Sequence, residues 1–421
     1  MKDKYEDILV STKNVKKRLI IFIIAIVVAV GSFTVGIIGY GSKEAGFHEV
    51  TVTPDEDAPT YGSGYSFFYW FEGTSGEIKE KYDLLQTQYS NSLARIIKLL
   101  DAENIYDGYK NIAYLNAHVG EDVDIPEELY EVLKDAADRS GEGVYELFSA
   151  PLYRFWKSVL ILENAPEYDP LVNGDIAERI EMLASELCKE GIAEICFLND
   201  TTHTVRLEVS DEYERFRREN EVDSPVLDLG IMSDAYAVTL LYRELDRLGY
   251  DTGYILHESG ISVCLGDGVN GAYHLYGYDN GSVRNLADIN MRADTAYCVF
   301  TSFLSGTDKY DHYVISVGGK EHLRCPYITP DGTFPELLCS ASCLADKGNA
   351  AEAAYSALKL FAAKSREDLK DITLALSGSG IITSYTEEQN GTALYISEAD
   401  APLLVMSYGE TEIHKIKKDG E

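Results

Sequence analysis

Residues Leu19–Ser42 carry no charge, and Leu19–Val30 is unbroken apolar sequence. At a rise of ~1.5 Å per residue, about 20 such residues cross a hydrocarbon core roughly 30 Å thick. A helix in a soluble core keeps a polar stripe, and this segment has none. Lys13, Lys16, Lys17 and Arg18 precede it, and Glu44, Glu49, Asp55, Glu56 and Asp57 follow it. The basic flank puts residues 1–18 in the cytoplasm, a transmembrane helix at 19–40 and the rest of the chain outside. A cleaved signal peptide is the competing reading. Its apolar region runs about 7–15 residues and ends in a small-x-small site. This stretch is longer, and Gly39-Tyr-Gly-Ser42 is a poor cleavage site. No cysteine precedes Cys188, so a lipid-modified N-terminal cysteine is excluded. The expectation is an uncleaved single-pass anchor in the cell membrane.

The chain as a whole has the composition of a globular protein, 45% hydrophobic and 25% charged. A net charge of -33 argues against nucleic acid or anionic lipid bound through a basic surface, and its simplest consequence is solubility. Seven cysteines, with Cys339 and Cys343 four apart and no histidine pattern beside them, suggest neither a disulfide framework nor a zinc site. Buried free thiols are expected.

Pro54, Pro59, Gly62 and several acids mark 41–64 as a solvated stalk. The aromatic run Tyr65-Ser-Phe-Phe-Tyr-Trp-Phe71 suits a buried strand. Helical spacing of Ile78, Tyr82, Leu85, Tyr89, Leu93 and Ile96 predicts a helix over roughly 76–101. Asp124-Ile-Pro-Glu-Glu128 opens a second helix, with proline in its first turn and acids at the positive end of the macrodipole. The segment 174–190 is amphipathic, and 193–198 and 204–209 form a strand pair about Asn199-Asp-Thr-Thr202. Val226-Leu-Asp-Leu-Gly230 leads into a helix that Gly249 stops, followed by short strands at 254–257 and 261–265. An alanine-rich helix is expected over 348–364, and strand-like pieces at 393–396 and 403–407. The mixture is α+β without regular βαβ alternation.

Gly266-Asp-Gly-Val-Asn-Gly271 matches the dinucleotide pattern G-x-G-x-x-G, whose last glycine must open a helix facing the pyrophosphate. Strand-like Ala272-Tyr-His-Leu-Tyr276 follows instead, so a hairpin loop is expected and a Rossmann unit rejected. The chain has no P-loop, no His-Glu-x-x-His and no Gly-x-Ser-x-Gly. Glu352 and Ser356, four apart, share one helix face. A carboxylate and a hydroxyl there suit a hard cation such as Mg²⁺, but spacing alone favours an acid placed near a helix N-terminus beside a small packing serine.

Several short segments, in order, resemble the ApbE-type FAD:protein FMN transferases over roughly 65–365. Glu72-Gly-Thr74 is similar to the family's Met-Gly-Thr, and Asn116 ends a segment like S-x-I-x-x-L-N. Gly143–Trp156 keeps the register of G-A-F-D-P-T-V-G-P-L-x-x-L-W, with Glu146 in the Asp position. Asp228–Ala237 falls on D-L-G-G-I-A-K-G-Y-A, and Thr301-Ser302 on the T-S-G start. Ile328-Thr-Pro-Asp-Gly332 sits at H-I-I-D-P-x-T-G, and Ala351–Ala357 overlays A-D-A-L-S-T-A. The resemblance implies an ApbE-type, two-lobed mixed α/β domain over 65–370, behind the membrane helix, with a C-terminal extension at 371–421. It implies FAD between the lobes with Mg²⁺ on its pyrophosphate, and FMN moved to a Thr or Ser of an exported acceptor flavoprotein. The nucleotide-binding positions it implies are Asn116, Glu146, Asp228, Ser259, Gly260 and Thr301. The metal ligands it implies are Glu352, Ser356 and the Ile231 carbonyl.

Other positions depart from the family. Its Lys-Gly is Asp234-Ala235, so a negative charge stands where phosphate would be met by a positive one. Its Gly-Gly is Ser259-Gly260, its histidine is Pro326, and its Asp is Thr329. Proline takes no proton, so no catalytic residue is assigned, and His322 or Arg324 is the candidate replacement. Two functions follow: a transferase with a divergent site, or a pseudoenzyme of the same fold holding flavin, another nucleotide or a partner protein without transfer. Leu376-Ser-Gly-Ser379 raises a third, self-modification, but it lacks most of the family's acceptor motif and a glycine-rich turn is the favoured reading.

Overall fold

The structure, a computed structural model, describes residues 44–54, 62–141, 143–266, 271–279, 282–303, 312–387, 390–397, 403–405 and 412–416. The expected membrane helix at 19–40 lies outside these residues. Among the described residues no helix is long and apolar enough to cross a membrane.

The chain divides into a small compact unit, described at 44–47 and 70–84, and a large one formed by 48–69 and 85–421. In the small unit Phe47 meets Trp70 edge-on at 5.1 Å. Glu77 Oε2 accepts from Thr74 N–H (2.8 Å) and Oγ1–H (2.9 Å), satisfying groups that the start of the following helix leaves open.

Among the described residues a nine-stranded sheet, its strands following one another in chain order, organises the large unit, and its first two strands run on into residues 46–47 and 70–71 of the small one. The strands are β1 (Gly46–Glu49), β2 (Tyr65–Phe71), β3 (Gly253–His257), β4 (Ile261–Leu265), β5 (Thr295–Thr301), β6 (Leu338–Asp346), β7 (Ile382–Glu387), β8 (Asn390–Ser397) and β9 (Glu412–Ile416). Pairing from β2 through β8 is antiparallel, and β8 pairs β9 in parallel. β6 is buried along Leu338–Ala345 because the sheet is covered on both faces. Alternation in β5 shows how: Phe300 stacks with Phe361 at 6.2 Å on one face, while Tyr297 stacks with Tyr273 at 4.8 Å on the other. The helix Ala350–Phe361 lies on the first face, its small residues Ala350, Ala353, Ala354 and Ala357 fully buried. The second face receives a three-stranded sheet of Ala272–Asp279, Ser282–Asn290 and Leu403–Val405, around Tyr273, Leu275, Leu286 and Ile289.

A second core joins the helices Ala150–Leu160 and Gly174–Leu187 around Trp156, whose Nε1–H donates to the Cys325 carbonyl at 2.8 Å. Beside it Asp169 and Arg324, both almost wholly buried, pair at 2.8 Å. Tyr313 Oη–H gives Asp169 a further bond at 2.9 Å, and the guanidinium lies 4.5 Å from the Phe334 ring centre.

The expected helices and strands appear with ends shifted by a few residues, and the α+β class holds. Three local expectations change. Gly46–Glu49, inside the stretch expected as stalk, is a strand, and Val50 N–H donates to the Phe67 carbonyl at 2.7 Å. Residues 267–270 of the expected hairpin loop lie outside the described residues, but the strands flanking them are not partners: β4 pairs with β3 and β5 while Ala272–Asp279 pairs with Ser282–Asn290. No helix follows it, so the nucleotide pattern is still unmet. Leu376–Gly378 forms the end of the helix Arg366–Gly378, with Ser379 as its C-cap. Cys264, Cys298, Cys325, Cys339 and Cys343 are buried free thiols, and Cys188 is exposed.

Removing one partner of a buried ion pair leaves the other uncompensated. Asp169→Ala should lower unfolding free energy by about 3–5 kcal/mol, read from the midpoint of urea denaturation.

Candidate functional site

The turn after Leu227 sets the site's geometry. Asn116 grips the backbone of Leu227 from both sides: Oδ1 accepts its N–H at 2.8 Å and Nδ2 donates to its carbonyl at 2.9 Å. Asp228 Oδ2 takes Arg154 Nε–H and Nη2–H at 2.8 and 2.6 Å, and its Oδ1 takes Gly230 N–H at 2.8 Å. Arg154 also pairs with Glu103. Gly230 has φ of +54°, a conformation a side chain disfavours. These restraints end the turn at Met232, where the helix Ser233–Arg247 begins with Asp234 in its first turn.

A second tight turn joins β3 to β4. Gly260 has φ of +85°, and a Cβ there would lie 2.5 Å from the Val299 carbonyl oxygen. Glycine is therefore required on steric grounds, and β5 approaches closely enough for Val299 N–H to donate to the Gly260 carbonyl at 3.0 Å. The same turn presents Ser259. Its N–H reaches His257 Nδ1 at 3.3 Å, so that nitrogen is an acceptor, and Ser259 Oγ–H donates to it at 2.7 Å. Asp234 Oδ2 stands 3.6 Å from the same nitrogen. A Ser-His-Asp triad needs acid and nucleophile on opposite ring nitrogens, so this cluster is not one.

These turns wall one cavity of about 190 Å³, completed by Tyr153 and Lys157, by Val299, Phe300 and Thr301 of β5, by His312, and by Cys325, Pro326 and Tyr327. Of the positions expected from sequence, Ile231, Ser259, Gly260 and Thr301 line it, as does the departing residue Asp234. Pro326 lines it too, in the place expected of the histidine. Asn116 and Asp228 stand outside the lining and hold the turn that forms it. Glu146 also lies outside, its Oε2 accepting from Ser140 Oγ–H at 2.8 Å. The proposed replacements for the missing histidine are engaged elsewhere. Arg324 is bound to Asp169, and His322 Nδ1 lies 2.9 Å from Glu336 Oε1. The imidazoles at the cavity are His257 and His312, and His312 Nε2–H donates to the Thr301 carbonyl at 3.2 Å. Sequence spacing gave no sign of either. Burial pushes the Cys325 thiol up to about 12, so it supplies no thiolate at neutral pH.

Glu352 and Ser356 do share a helix face, with Ser356 Oγ–H donating to Glu352 Oε1 at 3.3 Å. Glu352 Oε2 accepts from Arg139 Nη2–H at 2.7 Å. Both carboxylate oxygens are thus engaged, and Ser356 is wholly buried. Burial works against the Arg139 charge, yet Asp135 and Glu352 together raise its pKa above the ordinary arginine value. Mg²⁺ takes about six oxygen ligands in near-octahedral geometry, and this pair offers no oxygen free of the guanidinium or the serine hydroxyl. As arranged, the residues do not fit the ion. Among the described residues no group of three or more His, Cys, Asp and Glu side chains is placed to hold a metal.

No family model matches the chain, and no curated protein matches it in sequence. Solved structures do. The ApbE protein of Thermotoga maritima superposes with a TM-score of 0.52 at 13% identity, covering 84% of this chain and 97% of its own. The flavin transferase ApbE of Vibrio cholerae gives 0.53 at 14% identity, covering 81% and 94%. The fold is therefore that of the ApbE flavin transferases, at a sequence distance that carries fold alone.

Gly260→Ala should destabilise the protein by about 1–3 kcal/mol, since the new methyl meets both positive φ and the Val299 carbonyl. Thermal unfolding followed by circular dichroism checks this, with exposed Gly318→Ala as the comparison for positive φ without a close neighbour.

Proposed function

We propose that the protein binds a flavin dinucleotide, FAD or a close relative, in this cavity, on a domain tethered outside the cell membrane by residues 19–40. One observation carries the reading: in an ApbE-type fold, Ile231, Ser259, Gly260 and Thr301 converge on one cavity from segments far apart in sequence. Tyr153, Phe300 and Tyr327 supply flat apolar surface for a ring system, and the Gly260 turn and the Thr301 end of β5 supply polar groups at its edge. The cavity suits part of a dinucleotide, with the remainder extending outside it.

Binding without FMN transfer is the better supported form. Phosphoryl transfer depends on neutralising the charge that builds on phosphate. Here Asp234 and Glu258 face the cavity together with Lys157, and no side chain is assigned to take the proton of an acceptor hydroxyl. The second form, transfer to a Ser or Thr of an exported flavoprotein, is favoured by the carboxylate–hydroxyl pair Glu352–Ser356. It requires Glu352 to leave Arg139 before Mg²⁺ binds.

The full chain in detergent, titrated with FAD, should quench flavin fluorescence. Ser259→Trp, which adds bulk at the exposed turn, should weaken binding by about tenfold or more without changing the unfolding midpoint. An acceptor peptide carrying Ser/Thr-Gly-Ala-Thr should show no in-gel flavin fluorescence after incubation with FAD and Mg²⁺. A fluorescent peptide would establish the second form, and absence of FAD binding would exclude both. Deleting residues 19–40 should move the protein from the membrane fraction to the soluble fraction, read by immunoblot.

A further inference from the structure

We propose that Arg139 is the resident cation of the Glu352 site, a fixed guanidinium standing where a divalent metal ion would otherwise bind. Arg139 is the last residue of the helix Glu127–Arg139, and Glu352 lies in the first turn of the helix Ala350–Phe361. A cation at a C-terminus and an anion at an N-terminus are each favoured by the helix dipole, so these charges suit their own helices as well as each other. The guanidinium fork is filled on its carboxylate side. Nη2–H donates to Glu352 Oε2 at 2.7 Å and to Asp135 Oδ1 at 3.0 Å, and Nε–H donates to Asp135 Oδ2 at 2.7 Å. Its carbon lies 4.9 Å from the centre of the Tyr355 ring, within cation–π range.

The position is locked from behind. Tyr355 Oη–H donates to the Arg139 carbonyl at 3.0 Å, and Tyr236 Oη–H donates to Asp135 Oδ2 at 2.8 Å. Asn349 Oδ1 accepts Glu352 N–H at 3.1 Å, holding the other helix start in place. The Arg139 side chain is only 12% exposed, whereas Glu352 is 33% exposed. A flexible surface arginine would yield to a divalent ion. This one would have to give up three charged hydrogen bonds and a ring contact, and would then remain as a positive charge beside the ion.

Divalent metal is consequently excluded from Glu352 until Arg139 is removed, after which the Asp135 and Glu352 carboxylates lose the guanidinium they share. Arg139, Glu352 and Ser356 stand outside the lining of the cavity, so this exclusion of metal holds whether or not flavin binds there.

The test uses Mn²⁺ as a probe, with the full chain in detergent and the free-ion signal followed by electron paramagnetic resonance. Flavin plays no part in it, so failure of flavin binding leaves the result intact. Wild type and Glu352→Gln should titrate alike. Arg139→Gln should remove about one further equivalent of Mn²⁺ from solution, and adding Glu352→Gln to it should abolish that gain. Arg139→Lys, which keeps the charge, should behave as wild type. A wild-type site lost in Glu352→Gln overturns the proposal, and so does a folded Arg139→Gln that gains nothing. Should Arg139→Gln fail to fold, the comparison of wild type with Glu352→Gln and Arg139→Lys decides the matter.

Discussion

Everything at the cavity depends on how the backbone at Leu227–Gly230 is held. The chain must turn there between buried Val226 and the helix that starts at Ser233, and turns expose backbone groups that burial makes costly to leave unpaired. Asn116 meets this with its one side chain that both accepts and donates, matching an N–H and a carbonyl of the same residue. Asp228 adds a charge-assisted pair with Arg154 and a bond to Gly230 N–H. Loosening either would move Ile231 and Asp234 together, because both follow directly on the turn.

Charge is handled differently on the two sides of this turn. At the cavity, Asp234 sits near His257 and Ser259, in an arrangement where imidazole accepts from serine and the acid shares its nitrogen. Away from the cavity lining, Glu352 is closed off by Arg139. An ion pair with little solvent gains from a low local dielectric and repays its desolvation only when the hydrogen bonds are complete. The Arg139 fork meets that condition toward Asp135 and Glu352, which is why it behaves as a built-in counter-ion and not as a passing surface contact.

Much of the architecture was legible because it follows from local rules. Apolar periodicity gave the long helix, since Leu85, Tyr89, Leu93 and Ile96 are buried along one stripe of Ser75–Leu100. The aromatic run Tyr65–Phe71 and the strands on either side of Glu258-Ser259-Gly260 were equally plain. Errors came where pairing partners decide the outcome. The glycine-rich stretch after Leu265 looked like a hairpin because strands flank it, yet hydrogen-bonding partners are chosen by the sheets and not by sequence proximity. The serine-glycine stretch near Leu376 looked like a turn, but the helix before it carries through because buried Leu369 and Thr373 secure it.

Sequence alone was enough for the α+β class, the kinds and approximate limits of most elements, and the shared face of Glu352 and Ser356. All of these depend on neighbours within a few residues, where helix and strand periodicity and turn sterics act. It also carried the resemblance that the fold now bears out. Only the tertiary structure decided which of the expected residues meet. It brought Ile231, Ser259, Gly260 and Thr301 to one cavity, set Asn116 and Asp228 behind it as supports, gave Arg324 to Asp169, and delivered Arg139 to Glu352 across 213 positions of sequence. Contacts of that kind arise from the packing of helices and strands, and no local pattern encodes which charge will find which.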